Sequence, residues 1–342
     1  MTFIFDIGHP AHVHYFKNII VRLKKEGHEV IVFARDKECT HELLEAYGIS
    51  FISRGKGSSN LIGKLYYIFK IDLTMFLVLL GKKKDIFIGF ASPYAAHVAW
   101  LYRKFSITID DTDKATLSHK LYLPFTTKVV TPSVFEKEMG KKQIKFKSFM
   151  ELSYLHPDVF EPNPDVLKKL DLKEGEKFAI LRFVSWGANH DVGHAGMKEE
   201  QKRKVLELIK TKYRVFISSE SELPADLLPY KLQIPVESLH DCLAQAELYI
   251  GEGATMAAEA AMLGVPAIYT NSLTAGTLHA MSDYGLLHIW NPEREKLEEL
   301  VEMFLKQTNG KRLQQERRKK MLQECNNPTK FFLELIQNNS SK

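Results

Sequence analysis

Apolar positions along this chain switch repeatedly between a short continuous run and a helical spacing. Residues 2–7 form an apolar run, 13–26 carry apolar positions at helical spacing closed by Gly27, and 29–34 form a second run, so the chain opens as strand, helix, strand. Further strands fit 50–53, 85–90, 106–110 and 128–131, with helical patterns at 40–47, 61–80, 93–104 and 133–140. The pattern lapses over 153–164, where Pro157, Pro162 and Pro164 mark a linker. A second series follows, with strands at 178–184, 214–218, 231–236, 247–250 and 265–269 and helices at 198–212 and 238–246. Charged helical sequence then runs to Lys320, before a last short helix over 329–337. Short buried strands alternating with helices predict an α/β protein whose parallel sheets are covered on both faces. The expected division is 1–150, a linker over 151–170, a second domain over 171–310, and a helical tail over 311–342.

A length of 342 residues, 45% hydrophobic and 26% charged, fits two domains of ordinary size. The net charge of +5 suits an anionic substrate or lipid surface and lacks the concentrated basic face of a nucleic-acid binder, so no nucleic-acid partner is expected. Cys39, Cys242 and Cys325 are widely spaced and form neither a disulfide framework nor a zinc knuckle. With no secretion signal at the start, a cytoplasmic location is expected. The longest apolar stretch, 61–80, is interrupted by Lys64, Lys70 and Asp72 and is too polar to span a bilayer. Together with Lys82, Lys83 and Lys84 it suits a peripheral contact at the inner face of the cell membrane; a buried crossover helix with a solvated basic end is the competing reading.

Chemistry concentrates in a few turns. Gly251-Glu252-Gly253-Ala254-Thr255-Met256 joins a strand to a helix, so backbone N–H groups at Gly253, Ala254, Thr255 and Met256 and the positive helix end can hold phosphate. Glu259 lies one turn further on the same face, where its carboxylate can accept from a pair of ribose hydroxyls. Small residues that merely permit close packing are the alternative.

The first βα turn, Gly8-His9-Pro10-Ala11-His12-Val13-His14, brings three histidines to the carboxyl end of the first strand. His12 and His14 are two apart and point to different helix faces, which disfavours a metal and leaves a general base or a capping role. Asp110, Asp111 and Asp113 crowd the end of another strand, where one pKa can rise to suit acid–base chemistry; capping is the alternative for Asp113. Ser185, Trp186, Asn189 and His190 follow the first strand of the second half and suit a base, sugar or phosphate. Thr274, Gly276 and Thr277 suit sugar recognition.

These features resemble the GT-B fold of nucleotide-sugar enzymes, in which two Rossmann-like domains with parallel sheets face each other across a cleft. The run Gly253 to Pro266 resembles the donor signature of MurG-type glycosyltransferases and of the non-hydrolysing UDP-N-acetylglucosamine 2-epimerases. The resemblance implies ribose on Glu259, five residues before Gly264-Val265-Pro266, and diphosphate on Gly253 to Met256. It aligns His12 with the histidine of the MurG first turn, with Gly8-His9-Pro10-Ala11 in place of the glycine-rich form, and Asp110 or Asp111 with the acidic position of the first half. The His-Val-Glu-Ala-Gly signature of the epimerases is absent. Asp6-Ile7-Gly8-His9-Pro10, Asp110-Asp111-Thr112, Ser185-Trp186 and 252–266 are similar to a largely uncharacterised prokaryotic GT-B-like family found with surface-polysaccharide functions.

The implied activity is a metal-independent glycosyltransferase with a UDP-sugar donor, a glycan or lipid-linked acceptor and no cofactor. His12 or Asp111 would be the base, with His14 and Asp110 also in the candidate catalytic set. Gly8, His9, Ser185, Trp186, Asn189, His190, Thr274, Gly276 and Thr277 join 253–256 and Glu259 in substrate binding. The alternatives are a sugar-nucleotide 2-epimerase and a nucleotide-sugar-binding protein without turnover.

Overall fold

The computed structural model describes residues 1–58, 60–173, 175–184, 196–273 and 275–339, with Leu61 and Ile62 described by backbone alone. The chain divides by its contacts into two units, 1–159 with 325–342, and 160–324.

The first unit runs β1 (Thr2–Ile7), α1 (Pro10–Lys25), β2 (Glu29–Ala34), α2 (Thr40–Ala46), β3 (Ile52–Ser53), α3 (Leu61–Leu79), β4 (Ile86–Phe90), α4 (Pro93–Leu101), β5 (Phe105–Ile109), α5 (Thr116–Tyr122), β6 (Lys128–Pro132), β7 (Gln143–Phe146) and α6 (Leu152–Leu155). Its sheet has the order β3-β2-β1-β4-β5-β6-β7 with every pair parallel. The order reverses between β1 and β4, so the carboxyl ends of those strands flank the crevice where open α/β sheets take ligands. Strand β1 is buried along its whole length, as a central parallel strand must be.

The second unit runs β8 (Phe178–Phe183), α7 (Glu199–Lys210), β9 (Arg214–Ser219), α8 (Leu239–Gln245), β10 (Leu248–Gly251), α9 (Ala254–Met262), β11 (Ala267–Tyr269), α10 (Gly276–Asp283), β12 (Leu287–Ile289), α11 (Leu297–Lys306) and α12 (Gly310–Glu324). Its parallel sheet has the order β12-β11-β10-β8-β9, with the switch between β8 and β10. A final helix, α13 (Pro328–Asn339), belongs to the first unit.

Several elements differ from those the pattern predicts. Residues 133–140 form no helix; the chain turns after Pro132 and enters β7, which the pattern does not show. Residues 231–236 form no named strand; a single bridge joins Lys231 to Ile217, between the prolines at 229 and 235, which cannot donate to a ladder. The expected linker over 151–170 begins later, because Leu152, Tyr154 and Leu155 are core residues of the first unit, and the contact boundary falls after Val159. The expected tail over 311–342 is shared, α12 staying with the second unit and α13 with the first.

Candidate functional site

In the second unit, the turn from β10 into α9 is built by two glycines with different reasons. A Cβ on Gly251 would stand 2.4 Å from the Tyr249 hydroxyl and 2.7 Å from the Arg182 Cβ, so only glycine fits that strand end. Gly253, the N-cap of α9, has φ −86°, and a Cβ there would meet nothing nearer than 3.5 Å. Neither backbone strain nor packing demands glycine at 253. Among the described residues no side chain caps α9 and no acidic residue stands in its first turn, which leaves its first N–H groups and positive end to an anion, with Thr255 exposed beside them.

The floor below this turn is cross-linked by hydrogen bonds. Glu252 is buried and accepts from the Val184 N–H at 3.0 Å and the Met197 N–H at 2.8 Å, and burial raises its pKa. Asn271 Nδ2 donates to the Glu252 carbonyl at 3.1 Å, tying the loop after β11 to the same point. Arg182 passes beside Gly253 and donates to Ser218 Oγ at 2.8 Å and to Glu220 Oε1 at 2.7 Å. Glu259 is only 3% exposed, with Oε1 2.9 Å from His240 Nε2. A ribose reaching Glu259 therefore has to share this carboxylate with His240. Gly276 and Thr277 open α10, another helix start with no side-chain cap among the described residues. Ser185, Trp186, Asn189, His190 and Thr274 lie outside the described residues.

In the first unit, the turn after β1 is closed by its own histidines. The Gly8 N–H donates to His12 Nδ1 and the Ala11 N–H to His9 Nδ1, each at 3.2 Å. A backbone N–H can only donate, so Nδ1 of His12 accepts and the ring proton sits on Nε2. Burial, with the charges of His9, Arg54 and Lys37, holds His12 well below the usual imidazole range. His12 is thus a neutral donor at Nε2, with its ring against Phe90 at 4.6 Å between centroids.

Beneath this turn Asp6 Oδ1 stands 3.1 Å from Arg54 Nε, and Asp6 Oδ2 accepts from Ser92 Oγ at 2.5 Å. Ser92 also caps α4 through the Ala95 N–H at 3.2 Å, so β1, the end of β3 and α4 are joined at one carboxylate. Sequence reasoning missed Arg54 and Ser92 because each lies far along the chain from Asp6 and reaches it only once the sheet order is set.

The two carboxylates after β5 have separate roles. Asp110 is fully buried; Oδ1 accepts from the Thr112 N–H at 2.9 Å, and Oδ2 accepts from the Tyr122 hydroxyl at 2.7 Å with His119 Nε2 3.2 Å away. Lys137 Nζ donates to His119 Nδ1 at 2.8 Å. These contacts give Asp110 an anchoring role at the strand end. His14 is 7% exposed and packs against Tyr47 and Tyr154.

Asp111 is partly exposed; Oδ1 accepts from Thr112 Oγ1 at 2.9 Å, and the Tyr15 hydroxyl bonds to its carboxyl. Burial first, and the neighbouring Asp110 charge second among the raising causes, push it up to about 6. Asp113 caps neither end of α5; its Oδ1 accepts from the N–H groups of Glu136 and Lys137 at 2.8 and 3.0 Å.

The structure is similar over its whole length to UDP-GlcNAc 2-epimerase from Neisseria meningitidis solved with UDP-GlcNAc, at 14% identity and a TM-score of 0.66, covering 99% of this chain and 100% of that one. It is likewise similar to MurG of Acinetobacter baumannii, at 16% identity and a TM-score of 0.56 with the same coverage. These likenesses establish the GT-B fold. In sequence, an uncharacterized protein of Methanocaldococcus jannaschii is 24% identical over 273 residues, which is 77% of this chain and 80% of that relative. The family described as Protein of unknown function (DUF354) matches residues 1–341, and the chain belongs to it.

Proposed function

We propose that the protein is a glycosyltransferase that binds a UDP-sugar through its second unit and a glycan or lipid-linked acceptor through its first, in the synthesis of a cell-surface polysaccharide or glycoconjugate. The observation that carries this reading is the start of α9, uncapped among the described residues and headed by a glycine that neither backbone strain nor packing demands. Diphosphate fits there because N–H groups and the helix dipole stabilise an anion without a side-chain cation. The same groups stabilise the charge that develops on a departing diphosphate. Solved proteins of this fold that carry UDP-GlcNAc support the choice of donor.

The acceptor hydroxyl needs a base, and the two candidates now differ. His12 carries its proton on Nε2 and resists a second one, so it donates a hydrogen bond to the acceptor. Asp111, pushed up to about 6, is ionised at neutral pH yet more basic than an ordinary carboxylate, and takes the proton.

A thermal-shift screen of nucleotide sugars tests the donor site, since a ligand at a hundred times its Kd adds about 2.7 kcal/mol. A UDP-sugar should stabilise the protein. Gly253→Ala should leave the melting temperature of the free protein unchanged and remove most of the ligand shift. No stabilisation by any nucleotide sugar, or a full shift in the variant, overturns the reading. UDP release that requires an added acceptor and is lost in Asp111→Asn separates transfer from its alternatives. A C2 epimer formed from UDP-N-acetylglucosamine alone would make the protein an epimerase, and binding without turnover a nucleotide-sugar-binding protein.

A further inference from the structure

Helix α3 is predominantly apolar, yet only one side of it is covered. Tyr67, Ile71, Met75 and Leu79 are buried in a core with Ile4, Phe33, Phe87 and residues of α4. The opposite side exposes Leu65 (58%), Tyr66 (67%), Phe69 (67%), Leu73 (46%) and Leu77 (57%), continued by Leu80 (59%) just past the helix end. At 100° per residue these six positions fall within an arc of about 120°. Five large apolar side chains exposed on one helix, with a sixth just past its end, exceed the scattered single residues of an ordinary surface.

Basic residues outnumber acids around this face. Lys64 and Lys70 are exposed on the helix. Its one acid, Asp72, turns away, with Oδ2 2.7 Å from His97 Nδ1. Past the helix, Lys82, Lys83, Lys84 and Lys104 line a groove of about 640 Å³. The acids in its wall are engaged by Thr2, whose Oγ1 donates to Glu29 and whose N–H donates to Asp85, both at 2.8 Å. Lys84 Nζ stands 3.9 Å over the Tyr102 ring, and that ring stacks on Phe76 of α3 at 4.6 Å, which fastens the basic groove to the end of the apolar helix.

We propose that this face docks on an anionic phospholipid bilayer, with the apolar side chains of α3 in the headgroup–acyl boundary and lipid phosphates in the lysine groove. Among the described residues no helix is long and apolar enough to cross a membrane, so the contact is peripheral. A second copy of the chain is disfavoured as the occupant, because lysines stand at both ends of the face. Either parallel or antiparallel pairing of two such helices sets lysine against lysine. Anionic lipid complements the same charges, with each lysine near the surface contributing about a fivefold factor in partitioning.

Sedimentation of the full chain with vesicles tests this. At low salt the protein should pellet with phosphatidylcholine vesicles that contain phosphatidylglycerol, far less with phosphatidylcholine alone, and progressively less as salt rises. Phe69→Glu with Leu73→Glu should abolish pelleting with an unchanged melting temperature, since both side chains are exposed. Lys82→Glu with Lys83→Glu should lower partitioning at least about 25-fold. Failure of the wild type to pellet, binding indifferent to phosphatidylglycerol, or variants that bind like wild type overturn the proposal. So does a dimer in light scattering that Phe69→Glu with Leu73→Glu converts to monomer, which would give the face to a second copy.

Discussion

Asp110 and Asp111 are adjacent in sequence and nearly opposite in circumstance. Burial raises the pKa of both, but the carboxylate of Asp110 is fully buried and accepts from Thr112 and Tyr122, whereas Asp111 is partly exposed and is pushed up to about 6. Crowding of these acids was legible in the sequence; which of them stays accessible was not, because Tyr122 and His119 come from α5, which periodicity did not reveal. The raised pKa of Asp111 makes a stability prediction. Between the ordinary carboxylate value and about 6 the folded chain holds a proton at Asp111 that the unfolded chain has released, so stability falls as pH rises through that window. Asp111→Asn removes the titration. Compared with wild type, the variant should melt at the same temperature near pH 4 and at a higher one near pH 8. A variant less stable than wild type at pH 8 would show that the ionised carboxylate is held by favourable contacts and that its pKa is not raised.

At the scale of the element, α9 is positioned from its far end. Gly264 adopts φ +73° just past the helix, the Gly264 N–H returns to the Ala261 carbonyl and the Val265 N–H to the Ala260 carbonyl, a left-handed cap that favours glycine. The remaining carbonyls are taken by α12: Arg318 Nε donates to Met262 O at 2.6 Å, and Gln315 Nε2 donates to Leu263 O at 2.8 Å. A cation at the negative helix end is the favourable arrangement. Arg318→Ala should therefore cost about 1–3 kcal/mol in chemical denaturation. Gln315→Ala should cost less, because its bond is neutral; equal stability of Arg318→Ala and wild type would show that α12 does not hold this cap. The strand, turn, helix and closing Gly-x-Pro of this segment were all readable, since every signal is local. The role of 310–324 was not, because a charged helical run looks solvated until the carbonyls it caps are known. Local signals also misled over 133–140, where the chain instead turns toward β7, and over 231–236, where apolar spacing was satisfied but the prolines at 229 and 235 cannot donate to a ladder.

At the scale of the whole chain, the first unit is completed by residues that arrive last. Phe332 and Ile336 of α13 are each 2% exposed, Phe331 and Phe332 pack on Phe146 at 5.5 and 5.4 Å, and Thr329 Oγ1 donates to Ser153 O at 2.8 Å. Asn18 of α1 donates to that same carbonyl at 2.9 Å, so α1, α6 and α13 meet at one point. The two α/β series were legible from the alternation of strands and helices, but this return was not, because nothing in a short amphipathic helix states which sheet it will cover. Removing everything after Glu324 should expose the ground beneath Phe332 and Ile336, a loss of about 3–6 kcal/mol at ordinary values for two large buried side chains. For a unit of this size that corresponds to a fall of roughly 10 °C or more. Scanning calorimetry of the truncated chain should show the transition of the first unit falling while that of the second holds. Because the candidate donor turn lies wholly in the second unit, the UDP-sugar shift of that higher transition should survive the truncation. Loss of the shift with the second transition intact would mean that the first unit supplies part of the donor site, and a common fall of both transitions would mean that 325–342 supports the two units together.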